Sequence, residues 1–73
     1  MRIIKDGKLT KRELEIAFLL INGKSKVEIA KILRLSISTI KTHVEHIYCK
    51  LGIHSKVELA VYIIKNKIID IFE

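Results

Sequence analysis

The chain has 73 residues with a formal net charge of +6, and 49% of its side chains are hydrophobic and 30% charged. A chain this short forms one domain that buries roughly 60% of the surface exposed by its unfolded form, and its composition excludes a disordered protein. One cysteine, Cys49, excludes a disulfide framework.

No apolar run reaches the roughly 18 residues that would span a bilayer, and the start lacks the apolar segment of a signal peptide. We therefore expect a soluble, cytoplasmic protein that does not enter a membrane. On so small a body, the positive charge favours a polyanionic partner such as nucleic acid.

Residues 1–8 carry Arg2, Lys5 and Lys8 without a periodic pattern. We interpret this stretch as a mobile basic arm at the start of a domain that covers residues 9–73. Two readings of the arm stay open, because chain starts are commonly disordered and basic arms can also contact DNA.

The first helix is predicted over about residues 10–22. Thr10 and Glu13 have the spacing of a capping box, in which each side chain binds the backbone N–H of the other, and Gly23 is the expected C-cap. Its buried stripe is predicted to contain Leu14, Ala17, Phe18 and Ile21, with Ile16 and Leu20 beside it.

The second helix is predicted over about residues 25–33. Ser25 and Glu28 form a second capping-box pattern. The expected buried side chains are Ile29, Ala30 and Leu33, with Ile32 alongside. Only residues 34–36 separate this helix from the next, and two helices joined by so short a turn are typical of a helix-turn-helix.

The third helix is predicted over about residues 36–51, with Ser36 or Ser38 as its N-cap and Gly52 at its end. Apolar residues at steps of three and four form one stripe: Ile37, Ile40, Val44, Ile47 and Leu51. The opposite face is polar and carries Ser38, Thr42, Glu45, His46 and Cys49, flanked by Lys41 and Lys50.

The fourth helix is predicted over about residues 55–66, and Ser55 with Glu58 repeats the capping-box pattern. This helix is apolar on two sides. One side carries Leu59, Ala60 and Ile63, and the other carries Val57, Val61 and Ile64. A terminal helix with two apolar faces indicates a partner on its second face.

Four blocks resemble the LuxR/NarL/GerE helix-turn-helix domain: LTKRELEI (9–16), GKSKVEIA (23–30), STIKTHV (38–44) and KLGI (50–53). The resemblance covers residues 9–65 and implies an all-α, four-helix domain whose third helix enters the major groove and whose fourth forms a two-fold dimer. Because the chain has no room for a sensor domain, its arrangement resembles stand-alone GerE or a separated effector domain.

The resemblance also implies roles for single residues, and His46 is added to them because it lies on the same face of the third helix. The expected base-reading residues are Lys41, Thr42, Glu45 and His46, the expected phosphate contacts are Lys26, Ser38, Thr39 and Lys50, and the expected dimer residues are Val57, Val61 and Ile64. Lys56 departs from the family, where arginine is usual, and lysine lacks the bidentate fork. Glu45 accepts from cytosine N4, only discriminates against wrong sequences, or pairs with Lys41.

Other chemistries are weakly supported. His43, His46 and Cys49 repeat every three residues, but they sweep around the helix and a structural zinc site needs four ligands. Nothing beyond nearby Lys50 marks Cys49 as a redox switch. No arrangement of catalytic residues is present, so we expect no enzyme, metal or cofactor.

The sequence therefore predicts a DNA-binding transcription regulator that acts as a homodimer on double-stranded DNA, with RNA polymerase as a further candidate partner. The main alternative is a small protein-interaction module that reuses the fold and binds another regulator without DNA. A membrane-surface role for the C-terminal segment is a third reading, although Lys65 and Lys67 make a weak polar face.

Overall fold

The computed structural model of the protein describes residues 9–66 and the backbone of residues 2–3 and 69–70. Its helices are α1 (Lys11–Ile21), α2 (Lys26–Leu33), α3 (Ile37–Leu51) and α4 (Lys56–Lys65). The four helices confirm the all-α fold class. The predicted ranges were one or two residues longer, because each included the N-cap of its helix.

Two short strands, one near each end of the chain, pair with each other. Strands β1 (Arg2–Ile3) and β2 (Ile69–Asp70) pair antiparallel, with Arg2 opposite Asp70 and Ile3 opposite Ile69. The sequence did not predict this pairing, since two residues are too few to show a strand period. Residues 4–8 of the expected basic arm and most of the tail after Asn66 lie outside the described residues.

The first two predicted capping boxes are confirmed. The Thr10 N–H donates to Glu13 Oε1 at 2.8 Å and the Glu13 N–H donates to Thr10 Oγ1 at 3.1 Å. At α2, the Ser25 N–H donates to Glu28 Oε1 at 2.9 Å and the Glu28 N–H donates to Ser25 Oγ at 3.1 Å. The hydrogen bonds from Ser25 hold the pKa of Glu28 below its ordinary value.

The third predicted capping box was wrong in one half. Ser55 Oγ accepts from the Glu58 N–H at 3.2 Å, as expected, but Glu58 Oε1 accepts from the Ser55 hydroxyl at 3.3 Å and not from its backbone. Ser55 has a more extended φ of −146°, against −71° at Thr10 and −76° at Ser25. Ser36, not Ser38, is the N-cap of α3.

Left-handed residues follow three of the helices. Asn22 is the C-cap of α1, which corrects the expectation for Gly23, and Gly23 follows with φ 87°. Gly52 ends α3 with φ 66°, as predicted. Arg34 ends α2 with φ 58°. It is the single non-glycine residue with positive φ among those that the structure describes.

The core lies where α1 packs against the other three helices and α2 packs against α3. Its buried side chains are Leu9, Leu14, Ile16, Ala17, Leu20, Ile29, Ala30, Ile40, Val44, Ile47, Leu59 and Ile63. Because α1 meets three neighbours, its buried face is broad.

Several predicted positions differ from this core. Ile16 and Leu20 are buried at its centre, whereas Phe18 and Ile21, expected in the buried stripe, are half-buried. Leu33 and Leu51 are also half-buried, while Ile32 and Ile37 are exposed. Within residues 9–66, no helix has the length and apolar character needed to cross a membrane.

Candidate nucleic-acid interface

The turn between α2 and α3 fixes the start of α3. The Leu35 N–H donates to the Ala30 carbonyl at 2.9 Å, and the Arg34 N–H donates to the Lys31 carbonyl at 3.3 Å. These bonds satisfy carbonyl groups that the end of α2 would otherwise leave unpaired. Leu35 is half-buried against the core. The turn is therefore held to the end of α2 by these backbone bonds and to the core by the side chain of Leu35.

One side of α3 is held by the core and the other faces outward. Ile40, Val44 and Ile47 are buried, and α3 contacts both α1 and α2. The four predicted base-reading residues all lie on the exposed side: Lys41, Thr42, Glu45 and His46. At about 1.5 Å of rise per residue, this group spans roughly 8 Å of helix. We call these four residues the outer face of α3.

Hydroxyl groups cluster at the beginning of α3. Ser36 Oγ accepts from the Thr39 N–H at 3.1 Å, and the Ser36 and Thr39 hydroxyl oxygens lie 2.8 Å apart. Ser38 is exposed and Thr39 half-buried. One turn later, Thr42 Oγ1 donates to the Ser38 carbonyl at 3.1 Å. The two predicted phosphate contacts at this end, Ser38 and Thr39, therefore lie beside the helix N-terminus.

The outer face of α3 carries one charge of each sign, Lys41 and Glu45. Among the described residues, neither Lys41 nor Glu45 forms an ion pair, and both are exposed. The alternative in which Glu45 pairs with Lys41 is thus not adopted. Lys26, a predicted phosphate contact, is exposed at the first position of α2. Each of these groups remains available to an external partner.

Lys50 has a partner that sequence reasoning missed. Its Nζ lies 2.7 Å from Glu13 Oε1, and the carboxylate side chain is only 5% exposed whereas the lysine side chain is 42% exposed. The same carboxylate accepts the Thr10 N–H of the capping box. Lys50 therefore connects the end of α3 to the beginning of α1, and its expected phosphate contact stays a prediction.

The environment of Glu13 favours its charged form. Burial alone would raise the pKa of the Glu13 carboxyl, but the hydrogen bond from Lys50 and the backbone N–H of Thr10 together lower this pKa below its ordinary value of 4.5. The capping pattern identified Glu13 as a cap. Nothing local marked its second contact, because the partner lies 37 positions along the chain.

The second apolar side of α4 is exposed. The exposed fractions are 73% for Val57, 56% for Val61 and 56% for Ile64, whereas Leu59 and Ile63 on the other side are buried. The structure thus confirms the two-faced pattern of this helix. The dimer contact that the pattern indicates stays a prediction. We call Val57, Val61 and Ile64 the outer face of α4.

A shallow open groove lies beside the end of α3. It is lined by Glu45, Tyr48, Cys49, Gly52, Ile53 and His54. Burial raises the pKa of the Tyr48 hydroxyl above its ordinary value of 10.0. Cys49 is a free and exposed thiol.

Across residues 9–66, no three histidine, cysteine, aspartate or glutamate side chains are placed to hold a metal ion.

A family of known proteins matches most of the chain. Residues 7–63 match the GerE family, described as bacterial regulatory proteins of the luxR family. The chain belongs to the luxR family of bacterial regulatory proteins. The match confirms the resemblance seen in the four sequence blocks, and this family is a regulatory class of proteins and not a class of enzymes.

Similar curated proteins include the oxygen regulatory protein NreC of Staphylococcus aureus strains JH9, Mu3 and USA300. Each is 45% identical to this chain over 62 residues, which cover 85% of the chain and 29% of the relative. The chain therefore spans less than a third of the length of these relatives.

Proposed function

We propose that the protein is a sequence-specific regulator of transcription that binds double-stranded DNA with α3 in the major groove. The observation that carries this proposal is the exposed outer face of α3, held outward by a core that buries Ile40, Val44 and Ile47. Among the described residues, its Lys41 and Glu45 form no ion pair. The major groove is wide enough to admit an α-helix, and its base edges present donors and acceptors to polar side chains.

Different side chains would supply affinity and specificity. Lys41 donates to guanine O6 and N7 or to a phosphate, and Thr42, Glu45 and His46 meet base edges. As an acceptor, the Glu45 carboxylate suits cytosine N4. Phosphate contacts fix the position of the helix without reading sequence, and the candidates for this task are Lys26, Ser38, Thr39 and Lys50.

The outer face of α4 supports a homodimer. A two-fold axis would bring Val57, Val61 and Ile64 of one protomer against the same residues of a second, which removes exposed apolar area from water. Two copies of α3 would then read half-sites about one helical turn apart. The regulator would act in the cytoplasm, with RNA polymerase as a candidate partner.

A second candidate function is a protein-interaction module that binds another regulator through α4 without DNA. The observation that favours it is the same apolar outer face of α4, together with the negative charge of Glu45 on α3. The two functions differ in what they require of Lys41, because the second leaves the outer face of α3 without a ligand.

The deciding experiment titrates a pool of random duplexes with wild type, Lys41→Ala and Lys65→Ala at two salt concentrations. Lys65 is an exposed lysine in the last turn of α4 and serves as a matched loss of charge. Loss of a good base contact by Lys41→Ala should weaken binding roughly 5- to 150-fold. Lys65→Ala should change it less than about twofold, and wild-type affinity should fall as salt rises.

Two results would contradict the DNA-binding proposal. One is a wild type that binds no duplex at low salt. The other is an affinity that Lys41→Ala and Lys65→Ala lower equally, which would indicate attraction by net charge without a recognition helix. Circular dichroism of each variant would show that its helices are retained.

A further inference from the structure

The hydroxyl proton of Thr42 is already used inside the helix. Thr42 Oγ1 donates to the Ser38 carbonyl at 3.1 Å, one turn back along α3. Threonine often forms this bond to the carbonyl four residues earlier. A hydroxyl has one proton, so this oxygen has none left for a base. In this state Thr42 cannot donate to guanine O6 or N7 or to thymine O4.

The other group on the Thr42 side chain is its Cγ2 methyl. Thr42 is exposed at the centre of the outer face of α3, with Lys41 beside it and Glu45 on the next turn. Lysine offers three donors and no acceptor, and an ionised glutamate offers acceptors alone. Among the four residues of this face, only Thr42 carries a methyl group. It is therefore the position suited to an apolar contact.

Only one base offers an apolar group in the major groove. Thymine presents its C5-methyl there, and contact with a threonine methyl is an established way of recognising it. Contact between two methyl groups removes apolar surface of both from water. A cytosine or guanine at the same place offers no such surface.

We propose that Thr42 selects a thymine in the operator through contact between its Cγ2 methyl and the thymine C5-methyl. This inference rests on the proposed function, because it requires α3 in the major groove. With this contact, the outer face of α3 would recognise bases through three kinds of interaction. Lys41 supplies donors, Glu45 supplies acceptors, and Thr42 supplies an apolar contact.

The test removes the methyl from either side of the contact. Duplexes are selected from a random library with wild-type protein, and each thymine in the enriched sequence is replaced singly by deoxyuridine, which lacks the C5-methyl. Affinities are measured for wild type, Thr42→Ser and Thr42→Val. Serine keeps the hydroxyl and lacks the methyl, whereas valine keeps the methyl and lacks the hydroxyl.

For wild type, deoxyuridine at one position should weaken binding about fourfold, the effect expected for one buried carbon of this kind. Thr42→Val should show the same discrimination at that position. Thr42→Ser should bind the thymine duplex about as weakly as wild type binds the deoxyuridine duplex, and should not distinguish the two. Such coupling between protein and base identifies the contact itself.

Other outcomes would overturn the inference. If no replacement by deoxyuridine weakens wild-type binding, or if Thr42→Ser still discriminates, thymine is not read by this methyl. If Thr42→Val loses affinity equally on both duplexes while Thr42→Ser keeps wild-type affinity, the hydroxyl is the reader, acting as an acceptor from adenine N6 or cytosine N4. In each case DNA binding that still depends on Lys41 would leave the proposed function standing, whereas failure of wild type to bind any duplex would contradict the proposed function.

Discussion

The outer faces of α3 and α4 are both exposed to solvent and are chemically opposite. Each helix buries one side in the same core, through Ile40 and Ile47 in α3 and through Leu59 and Ile63 in α4. The outer face of α3 is polar, and the outer face of α4 consists of three aliphatic residues. Polar groups on a surface are satisfied by water, whereas a cluster of exposed aliphatic side chains indicates a protein contact. Exposure alone therefore does not separate the two faces, whereas their chemistry makes them suited to different kinds of partner.

The largest effect is expected from a charge on the outer face of α4. Val61→Lys should place an ammonium at the centre of the proposed dimer contact and convert the protein to a monomer, because a desolvated unpaired charge is costly. On a duplex with two half-sites, the loss of the second protomer should lower affinity by roughly 100-fold or more. Sedimentation equilibrium and DNA titration would measure the two effects.

Ile32→Lys is the matched control for Val61→Lys. Ile32 is 51% exposed on α2, close to the 56% of Val61, and the substitution adds the same charge. It should leave the oligomeric state unchanged. A wild type that is monomeric both at high concentration and on DNA would contradict the dimer, as would a Val61→Lys variant that remains dimeric.

An intermediate effect is expected at the ion pair between Lys50, at the end of α3, and Glu13, in α1. Lys50→Met should leave the buried Glu13 carboxylate without its ammonium partner and destabilise the domain by about 1–2 kcal/mol, a value discounted because Lys50 is partly exposed. Urea unfolding measures this change. Lys41→Met removes the same charge from the free side of α3 and should change stability by less than about 0.5 kcal/mol.

The same ion pair predicts the sign of an acid effect. Since the pKa of Glu13 is lower in the folded protein than its ordinary value of 4.5, the unfolded chain binds the proton more readily. This contribution to stability is present above about pH 4.5 and is lost as the pH falls through the lower, folded pKa. In Lys50→Met the stability should depend less on pH in that range. An unchanged acid dependence would show that Lys50 does not stabilise the carboxylate.

The smallest effect is expected at the turn before α3. Arg34 has φ 58°, a conformation in which a residue with a Cβ is strained by about 1 kcal/mol or more. Arg34→Gly should relieve this strain and stabilise the domain by about 0.5 kcal/mol, after the greater freedom of glycine in the unfolded chain is subtracted. Lys31→Gly, inside α2, should destabilise by about 1 kcal/mol. If thermal unfolding shows both variants less stable, the Arg34 side chain contributes more than the strain costs.

Local features of this fold were predictable from the sequence, and contacts between distant residues were not. Helix bounds followed from caps such as Thr10 and Ser25, whose partners lie three residues away. The helical period of the apolar residues predicted which sides of α3 and α4 are exposed. The bond between Lys50 and Glu13 joins two helices, and the pairing of β1 with β2 joins the ends of the described chain. Such contacts leave no local pattern.

The other features that the sequence did not predict concern backbone geometry and local hydrogen bonds. The third capping box failed although Ser55 and Glu58 have the right spacing, because Glu58 accepts from the Ser55 side chain in place of its backbone. The turn after α2 was predicted, but its left-handed residue is an arginine, which composition rules do not favour there. Within the candidate site, the sequence identified which side chains face outward. It did not show that the Thr42 proton is bound to Ser38.

Glu13 is buried, caps α1 and also binds Lys50, whereas Thr42 and Glu45 are exposed on the outer face of α3. On the proposed function, the base-reading candidates Thr42 and Glu45 are separate from Glu13, whereas Lys50 would serve both the fold and the contact with phosphate. A substitution at Glu13 alters two helices at once and is expected to be selected against. A substitution at exposed Thr42 or Glu45 is expected to leave the domain folded, so, on the proposed function, the preferred DNA sequence could change one residue at a time.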